Sequence, residues 1–378
     1  MDRLQQDMEA LGRVRYRFAG TEGEREMLHA VRERLPGADA RIEGFVGHGS
    51  PALSVGVHAA ALLLFGALGY AMPLVGAMLS AIVTLSLVGE GTGRFSLIRS
   101  LLPKTPSYNL VSRVRAERPL GAVIVVAPLD APRWRPRWPA WLHWHRPLQS
   151  VVIAAVMAVA PLLLHSPGQP WGLRLLEVYL LSLGVLAAAL AIGATAHRHV
   201  GSEEADPSGP AVALELARRF QAAPVEGIEL WFAFTGCARA HQEGMDALLR
   251  LHGRSFPETV LVLVLDDPAR PPLQAAISEG SLFSQHHRPT GPALVERLRW
   301  AGRMIPSVDL HRVTDARAAL VLGYRALALA GGAAPPDLRV AAQAAEAAET
   351  LVRWFAEDLT RIADGMDVAL NTEEAPLP

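Results

Sequence analysis

The stretch Gly121-Ala-Val-Ile-Val-Val-Ala-Pro-Leu-Asp130 decides the fold. Val123–Ala127 is apolar without alternation, as in a strand buried on both faces, and it ends in an acidic residue. Working outward, Asn109–Ala116 reads as a neighbouring strand joined to it by a Glu-Arg-Pro-Leu turn. Further strands are expected at Ile228–Phe234, Val260–Leu265 and Ala326–Ala330. Helical patterns alternate with them: one from about Thr21 to Leu35, where Thr21 and Glu24 are spaced as a capping box, one over Ala211–Ala222, and an alanine-rich one from Leu338 to about Ile362. Strands interleaved with helices predict a three-layer α/β/α sandwich around a mostly parallel sheet.

Two stretches interrupt this pattern. Residues 44–89 contain no Asp, Glu, Lys or Arg, and a single helix over that length would be about twice as long as a bilayer core is thick. A hairpin fits: Ala52–Tyr70 and Pro73–Val88, with Gly69 and Pro73 bracketing the turn. The design repeats with Pro147–Leu164, the turn His165-Ser-Pro-Gly-Gln-Pro170, and Val178–His197. Helical hairpins buried in a soluble core are the alternative. The flanks favour lipid: Trp134, Trp138, Trp141 and Trp144 crowd one entry, as in an interfacial belt. Arg41, Arg94, Arg99, Lys104, Arg133, Arg135, Arg137, Arg146 and Arg198 lie on one side of the spans, and only Arg174 on the other. By the positive-inside rule the basic side, with both termini, is cytoplasmic. The expectation is a multi-pass protein of a bacterial inner membrane. Its extramembrane pieces, 1–51, 90–146 and 198–378, form one discontinuous domain, and 52–89 and 147–197 form two transmembrane hairpins.

Composition excludes other classes. Charged residues make up 19% and apolar ones 51% of the 378 positions, too apolar for a disordered chain. The net charge of −1 argues against a nucleic-acid surface. Cys237 is the only cysteine, so no internal disulfide forms. The first residues hold no apolar run that would read as a signal peptide.

Several passages, taken in order, resemble the zinc aminopeptidase-like fold of metallopeptidase family M twenty-eight. Arg17-Phe-Ala-Gly-Thr-Glu-Gly-Glu24 is similar to its N-terminal helix entry. Tyr108-Asn-Leu-Val-Ser-Arg is similar to one of its strands, and Gly121–Asp130 to the strand ending in "a-H-x-D". Ala205-Asp-Pro-Ser-Gly-Pro-Ala-Val-Ala-Leu-Glu-Leu-Ala-Arg218 carries the most specific match, although the family's Asp falls on Ala205 and Asp206 stands one position late. Phe234-Thr-Gly-Cys-Ala238 lies where "f-x-g-E-E" would, and Val264-Leu-Asp266 where "n-l-D" would.

The resemblance implies two zinc ions held by His, Asp, Glu, Asp and His, with a second Glu as general base. A metal pair of this kind lowers the pKa of a bridging water and clamps the intermediate. Carried over by position, the first His matches Pro128, the base and Glu ligand match Cys237 and Ala238, and the last His falls near Ala333, ahead of Asp337. Asp130, Asp206 and Asp266 remain, in the family a positioning residue, the metal bridge and a terminal ligand. Two ligand-position carboxylates without imidazole make a poor zinc site. The simpler reading has Asp206 capping the following helix and Asp266 ending its strand in a turn with Asp267-Pro268. Cys237 reads as a small buried hydrophobe, His286 and His287 as part of a polar loop, and His241 as the histidine whose position most needs a structure.

The functional expectation is a catalytically inactive, peptidase-like membrane protein acting as a binding or scaffold module without a cofactor. Its partners are the lipid bilayer and another membrane protein or a second copy of itself, not nucleic acid. The residual carboxylates are expected to leave an acidic cleft that favours basic groups. The alternative is a membrane-bound metallo-aminopeptidase or other hydrolase with a rearranged zinc site built on Asp206, Asp266 and a displaced histidine. A transporter is disfavoured, because the spans carry almost no ionisable groups.

Overall fold

A computed structural model describes residues 2–37, 39–69, 71–132, 206–280, 285–287 and 290–364. Helices α1 (Asp2–Leu11) and α2 (Glu22–Arg32) lead to strand β1 (Arg41–Gly47). Helices α3 (Pro51–Leu68) and α4 (Pro73–Thr92) follow, and then strands β2 (Thr105–Val114) and β3 (Gly121–Pro128). Beyond the undescribed residues 133–205 come α5 (Ser208–Ala222), β4 (Ile228–Thr235), the single turn α6 (Ala238–His241), α7 (Glu243–His252) and β5 (Val260–Asp266). The chain closes with β6 (Gln274–Glu279), β7 (Gln285–His286), α8 (Thr290–Trp300), β8 (Ser307–Leu310), α9 (Asp315–Val321), β9 (Arg325–Ala330) and α10 (Leu338–Ala363).

These strands form one sheet in the order β1-β2-β4-β3-β5-β9-β6-β7, with β8 paired to β6. Ala122–Ala127 of β3 are each 0% exposed, as the unbroken apolar run requires. Alternate residues serve opposite layers. Val123, Val125 and Ala127 pack with Leu214 of α5 and Leu351 of α10, and Ile124 and Val126 pack with Met245 and Leu248 of α7 and Ala319 of α9. Helices thus cover both faces of a central mixed sheet.

Three expectations need correction. β2 and β3 are not neighbours: β4 lies between them, parallel to β3 and antiparallel to β2. A strand apolar on both faces is most stable deep in the sheet, and β3 takes parallel partners on both edges, β4 and β5. The loop from β2 steps across β4 instead of turning tightly, with the Leu120 N–H donating to the Gly227 carbonyl at 2.8 Å. The sheet is also more mixed than predicted, since β1, β2 and β6 run antiparallel to neighbours. Finally, the Thr21–Glu24 capping box does not form. The Thr21 hydroxyl donates back to the Phe18 carbonyl at 2.6 Å, and Glu24 accepts from Gly20 N–H at 2.9 Å.

Helices α3 and α4 pair across the turn bracketed by Gly69 and Pro73. Gly76 makes the close approach possible, because a Cβ there would lie 2.6 Å from the Gly69 Cα and 2.8 Å from the Phe65 carbonyl oxygen. Polar groups turn toward the helix interface or the chain's interior: His58 Nδ1 meets the Ser54 carbonyl at 2.8 Å, and its Nε2 meets Ser86 Oγ at 3.0 Å. Apolar side chains point away, with Leu74, Met78, Ile82 and Leu85 of α4 each more than half exposed. Leu74–Thr92 is long and apolar enough to cross a membrane, while the apolar part of α3, Leu53–Gly66, is shorter. The expected second hairpin, the tryptophan belt and Arg133, Arg135, Arg137, Arg146, Arg174 and Arg198 lie outside the described residues.

Candidate functional site

Parallel strands β3, β4 and β5 bring their carboxyl ends to one edge of the sheet, where open α/β folds place their ligands. Asp130 stands two residues beyond β3, Cys237 two beyond β4, Asp266 ends β5, and Asp206 lies two before α5. The N-terminal stretch closes over this edge: the Ala131 N–H donates to the Arg17 carbonyl at 2.7 Å, and the Arg17 guanidinium donates to the Asp206 carbonyl at 2.6 Å.

Gly236 lets β4 turn sharply here, since a Cβ would meet Ser107 Oγ at 2.3 Å and the Tyr108 carbonyl oxygen at 2.6 Å. Cys237 and Gln242, either side of α6, adopt left-handed conformations at φ 46° and 57°, a strain that neighbouring contacts must hold in place. Glu24 provides one such contact: it accepts from the Cys237 N–H at 2.7 Å and from Ser107 Oγ at 2.8 Å. Asp130 provides another by accepting from the Ala238 N–H at 3.1 Å and the Arg239 N–H at 2.9 Å.

This turn directs Arg239 into the cluster of carboxylates. Its guanidinium pairs with Asp266 and, at 2.6 Å, with Asp267 Oδ1. The other oxygen of Asp266 accepts from Arg312 Nε at 2.5 Å. Asp206 accepts from the Ser208 N–H at 2.9 Å and from Arg270 Nε at 3.1 Å. The expected acidic cleft is therefore filled by the chain's own arginines, because buried carboxylates require a nearby counter-charge.

The protonation equilibria follow from the same packing. Burial opposes the charge on Arg239, but Asp266 and Asp267 hold its pKa above the ordinary arginine value. Burial lowers that of Arg17 to about 10, against the pull of Asp267. Burial raises Asp130 well above the usual carboxylate range, and Glu24 adds to the effect. Asp206 is raised by burial and then by Asp267. Asp315, buried with one oxygen accepting from Thr235 Oγ1 at 2.6 Å, is pushed up to about 7 by burial.

The structure brings Asp130, Asp206 and Asp266 to one edge, each held by arginine or backbone N–H groups. Asp206 does not cap α5, whose cap position is Pro207, but stands just before it and accepts from the Ser208 N–H, and Asp266 leads into a turn in which Asp267 has φ 52°. Pro128 is buried and offers no donor, while Ala333 is exposed. The Cys237 thiol is raised by burial and by Glu24, so it stays protonated at neutral pH and cannot act as a thiolate. His241 has Glu90 as its neighbour, with Nδ1 3.6 Å from Glu90 Oε1, and burial holds its pKa well below the usual histidine value. His286 and His287 do not form a polar loop: His286 ends β7, and His287 is fully buried, 3.7 Å from Glu279.

The residues present do not fit the two-zinc centre that the resemblance implies. Among the described residues, no three His, Cys, Asp or Glu side chains are grouped to hold a metal ion. Arg17 Nε and Nη1 and Arg239 Nε are buried without hydrogen-bond partners, and such N–H groups repel a cation. Sequence reasoning missed Arg239, Arg270 and Arg312, and read Arg17 and Glu24 only as part of a helix entry. The available signal was a basic residue directly after the positions where both glutamates are replaced.

The fold has counterparts among solved structures. The zinc aminopeptidase BSAP from Bacillus subtilis is 11% identical, with a TM-score of 0.52 over 94% of this chain and 95% of that one. The aminopeptidase from Aneurinibacillus sp. strain AM-1 is also 11% identical, with a TM-score of 0.51 over 93% and 92%. A glutaminyl cyclase from an Acidobacteriales bacterium is 10% identical, with a TM-score of 0.51 over 94% and 93%. No protein-family model matches the chain, and no curated protein does. These likenesses establish a mixed α/β zinc-peptidase-like fold with one central sheet.

Proposed function

We propose that this chain is a catalytically inactive protein on the aminopeptidase-like fold, tied to a bilayer by helical hairpins and acting as a binding or scaffold module. The observation that carries the reading is Arg239, paired with Asp266 and Asp267 where a hydrolase would need a metal and its activated water. Pro128, Cys237 and Ala238 supply neither ligand nor base. The alternative hydrolase gains no support from His241, whose carboxylate neighbour is Glu90 and not Asp206 or Asp266.

The membrane part of the proposal rests on α3 and α4. At 1.5 Å per residue they reach about 27 and 30 Å, close to the thickness of a hydrocarbon core. Their polar groups are largely sequestered, and the stripe Leu74, Met78, Ile82 and Leu85 faces outward. We assign 52–89 and 147–197 to membrane hairpins, and 1–51, 90–146 and 198–378 to one discontinuous cytoplasmic domain. The single sheet supports that grouping by drawing strands from all three pieces. The outward stripe would meet lipid, a second copy or another membrane protein.

Two assays test the proposal. The full chain should stay with membranes through alkaline carbonate extraction, and the detergent-purified protein should not cleave aminoacyl-p-nitroanilides with or without added zinc. Release by carbonate would overturn the membrane assignment; zinc-dependent cleavage would overturn the non-catalytic one.

A further inference from the structure

Helix α4 does not run straight on into the sheet. It stops at Gly93, which has φ 73°, and the Arg94 N–H donates back to the Gly89 carbonyl at 3.0 Å, the left-handed cap that lets a chain reverse at a helix end. Residues 95–98 then return beside the helix: a Cβ on Gly89 would overlap the Phe95 ring, and the Ile98 N–H donates to Ser86 Oγ at 3.1 Å. Ser86 to Gly93 spans about 10 Å of helix axis, so the segment lies along the last two turns of α4. Its inward side is tied down, with Arg99 Nε 3.7 Å from Glu243 Oε1 at the start of α7. Its outward side is bare. Leu97 is 47% and Leu101 84% exposed, and Arg94 and Lys104 are exposed at the two ends. No Asp or Glu occurs between Glu90 and Glu117 to balance them locally.

We propose that residues 94–104 form an interfacial collar that docks on anionic phospholipid, with Leu97 and Leu101 at the acyl boundary and Arg94 and Lys104 on the headgroup phosphates. Exposed leucines flanked by cations, with no acidic residue among them, have the chemistry of a segment lying in the interface plane. A protein partner would have to bring both an apolar surface and fixed anions; an anionic bilayer presents the two in that order with depth. Position agrees with chemistry. The outward stripe of α4 ends at Leu85, one residue before the Ser86 that holds Ile98, so the collar starts where the apolar face stops. In a zwitterionic lipid the phosphate is already balanced by its own ammonium group, and a pair of protein cations therefore favours anionic headgroups. Bonded to α4 through Ile98 and set against α7 through Arg99, the collar also fixes the height of the α/β domain above the bilayer. This inference rests on the membrane assignment and is independent of the reading of the sheet edge.

The test uses the full chain in nanodiscs of equal phosphatidylglycerol and phosphatidylcholine, with an environment-sensitive fluorophore on Leu101→Cys. Cys237 is buried, so the introduced thiol is the one labelled. Bromine on the acyl carbons nearest the headgroup, placed on one lipid at a time, reads depth and lipid identity together. The label should emit from an apolar setting, and brominated phosphatidylglycerol should quench it about threefold or more better than brominated phosphatidylcholine. Arg94→Gln combined with Lys104→Gln should bring the two quenching strengths together. Leu97→Cys repeats the measurement at the second exposed leucine. Equal quenching by the two lipids in the otherwise wild-type chain would overturn the proposal, and so would a preference that survives the double substitution, or aqueous emission unquenched by either lipid. Release of the chain by carbonate would overturn the membrane assignment and this inference with it, whereas a carbonate-resistant chain with an unquenched label overturns this inference alone.

Discussion

Strand β3 and helix α4 look alike as sequence, both long apolar runs, with Glu90 near the end of α4 as the one charged residue in either, yet the structure treats them oppositely. Ala122–Ala127 are wholly enclosed, whereas Leu74, Met78, Ile82 and Leu85 are 51–68% exposed. The difference is where the polar atoms go. In β3 the backbone bonds to two flanking strands and the side chains divide between two helical layers. In α4 the backbone is satisfied within the helix, and the apolar side chains of its outer face are left exposed.

One substitution in each region would break this comparison. Ile124→Asp should cost more than about 4 kcal/mol, because it buries a charge with no partner, and should leave no folded protein in a chemical denaturation assay. Ile82→Asp should leave the detergent-solubilised fold intact but weaken membrane insertion by about 2.5–3.5 kcal/mol, read as loss from the carbonate-resistant fraction. Equal destabilisation of the solubilised fold by both would make α4 a core helix.

The sheet edge sharpens the contrast, because there the buried groups are charged. Arg239→Ala should lower stability by about 3–5 kcal/mol, since it leaves buried carboxylates uncompensated. Gly244→Ala should cost about 1–3 kcal/mol, because its Cβ would lie 2.2 Å from the Gly236 carbonyl oxygen; urea midpoints measure both.

The smallest effect per unit change concerns pH. Asp315 has a folded pKa of about 7 against an ordinary 3.8, so between these values the native state holds a proton that the unfolded state has released. Stability from this group therefore falls as pH rises from about 4 to 7, by at most about 1.4 kcal/mol per unit. Asp315→Asn should remove this slope. Comparing the two proteins isolates it from His241, which is buried with a lowered pKa and acts oppositely, reducing stability as pH falls below the usual histidine value.

Much of the fold was legible because it rests on local patterns. The apolar runs in β3, β4, β5 and β9 and the apolar stripe of α10 fix those elements within a residue or two. Strand order was not legible: nothing in residues 109–127 reveals that β4, a hundred residues later, inserts between β2 and β3. The three aspartates were visible through their motifs, but Asp206 does not cap α5: Pro207 holds that position, and Asp206 accepts from the Ser208 N–H from one residue further out. Glu24 was read as a local capping residue, whereas its carboxylate reaches Cys237, 213 residues away. Arg239 was not legible because the carboxylates it balances, Asp266 and Asp267, lie nearly thirty residues away in sequence and meet it only in the fold.

In the function we propose, arginine and not metal balances the carboxylates at this edge of the sheet. The most direct test is elemental analysis of the full chain, purified in detergent from zinc-supplemented cells and dialysed without chelator. The account predicts zinc far below one ion per chain. One or two ions per chain surviving dialysis would contradict it.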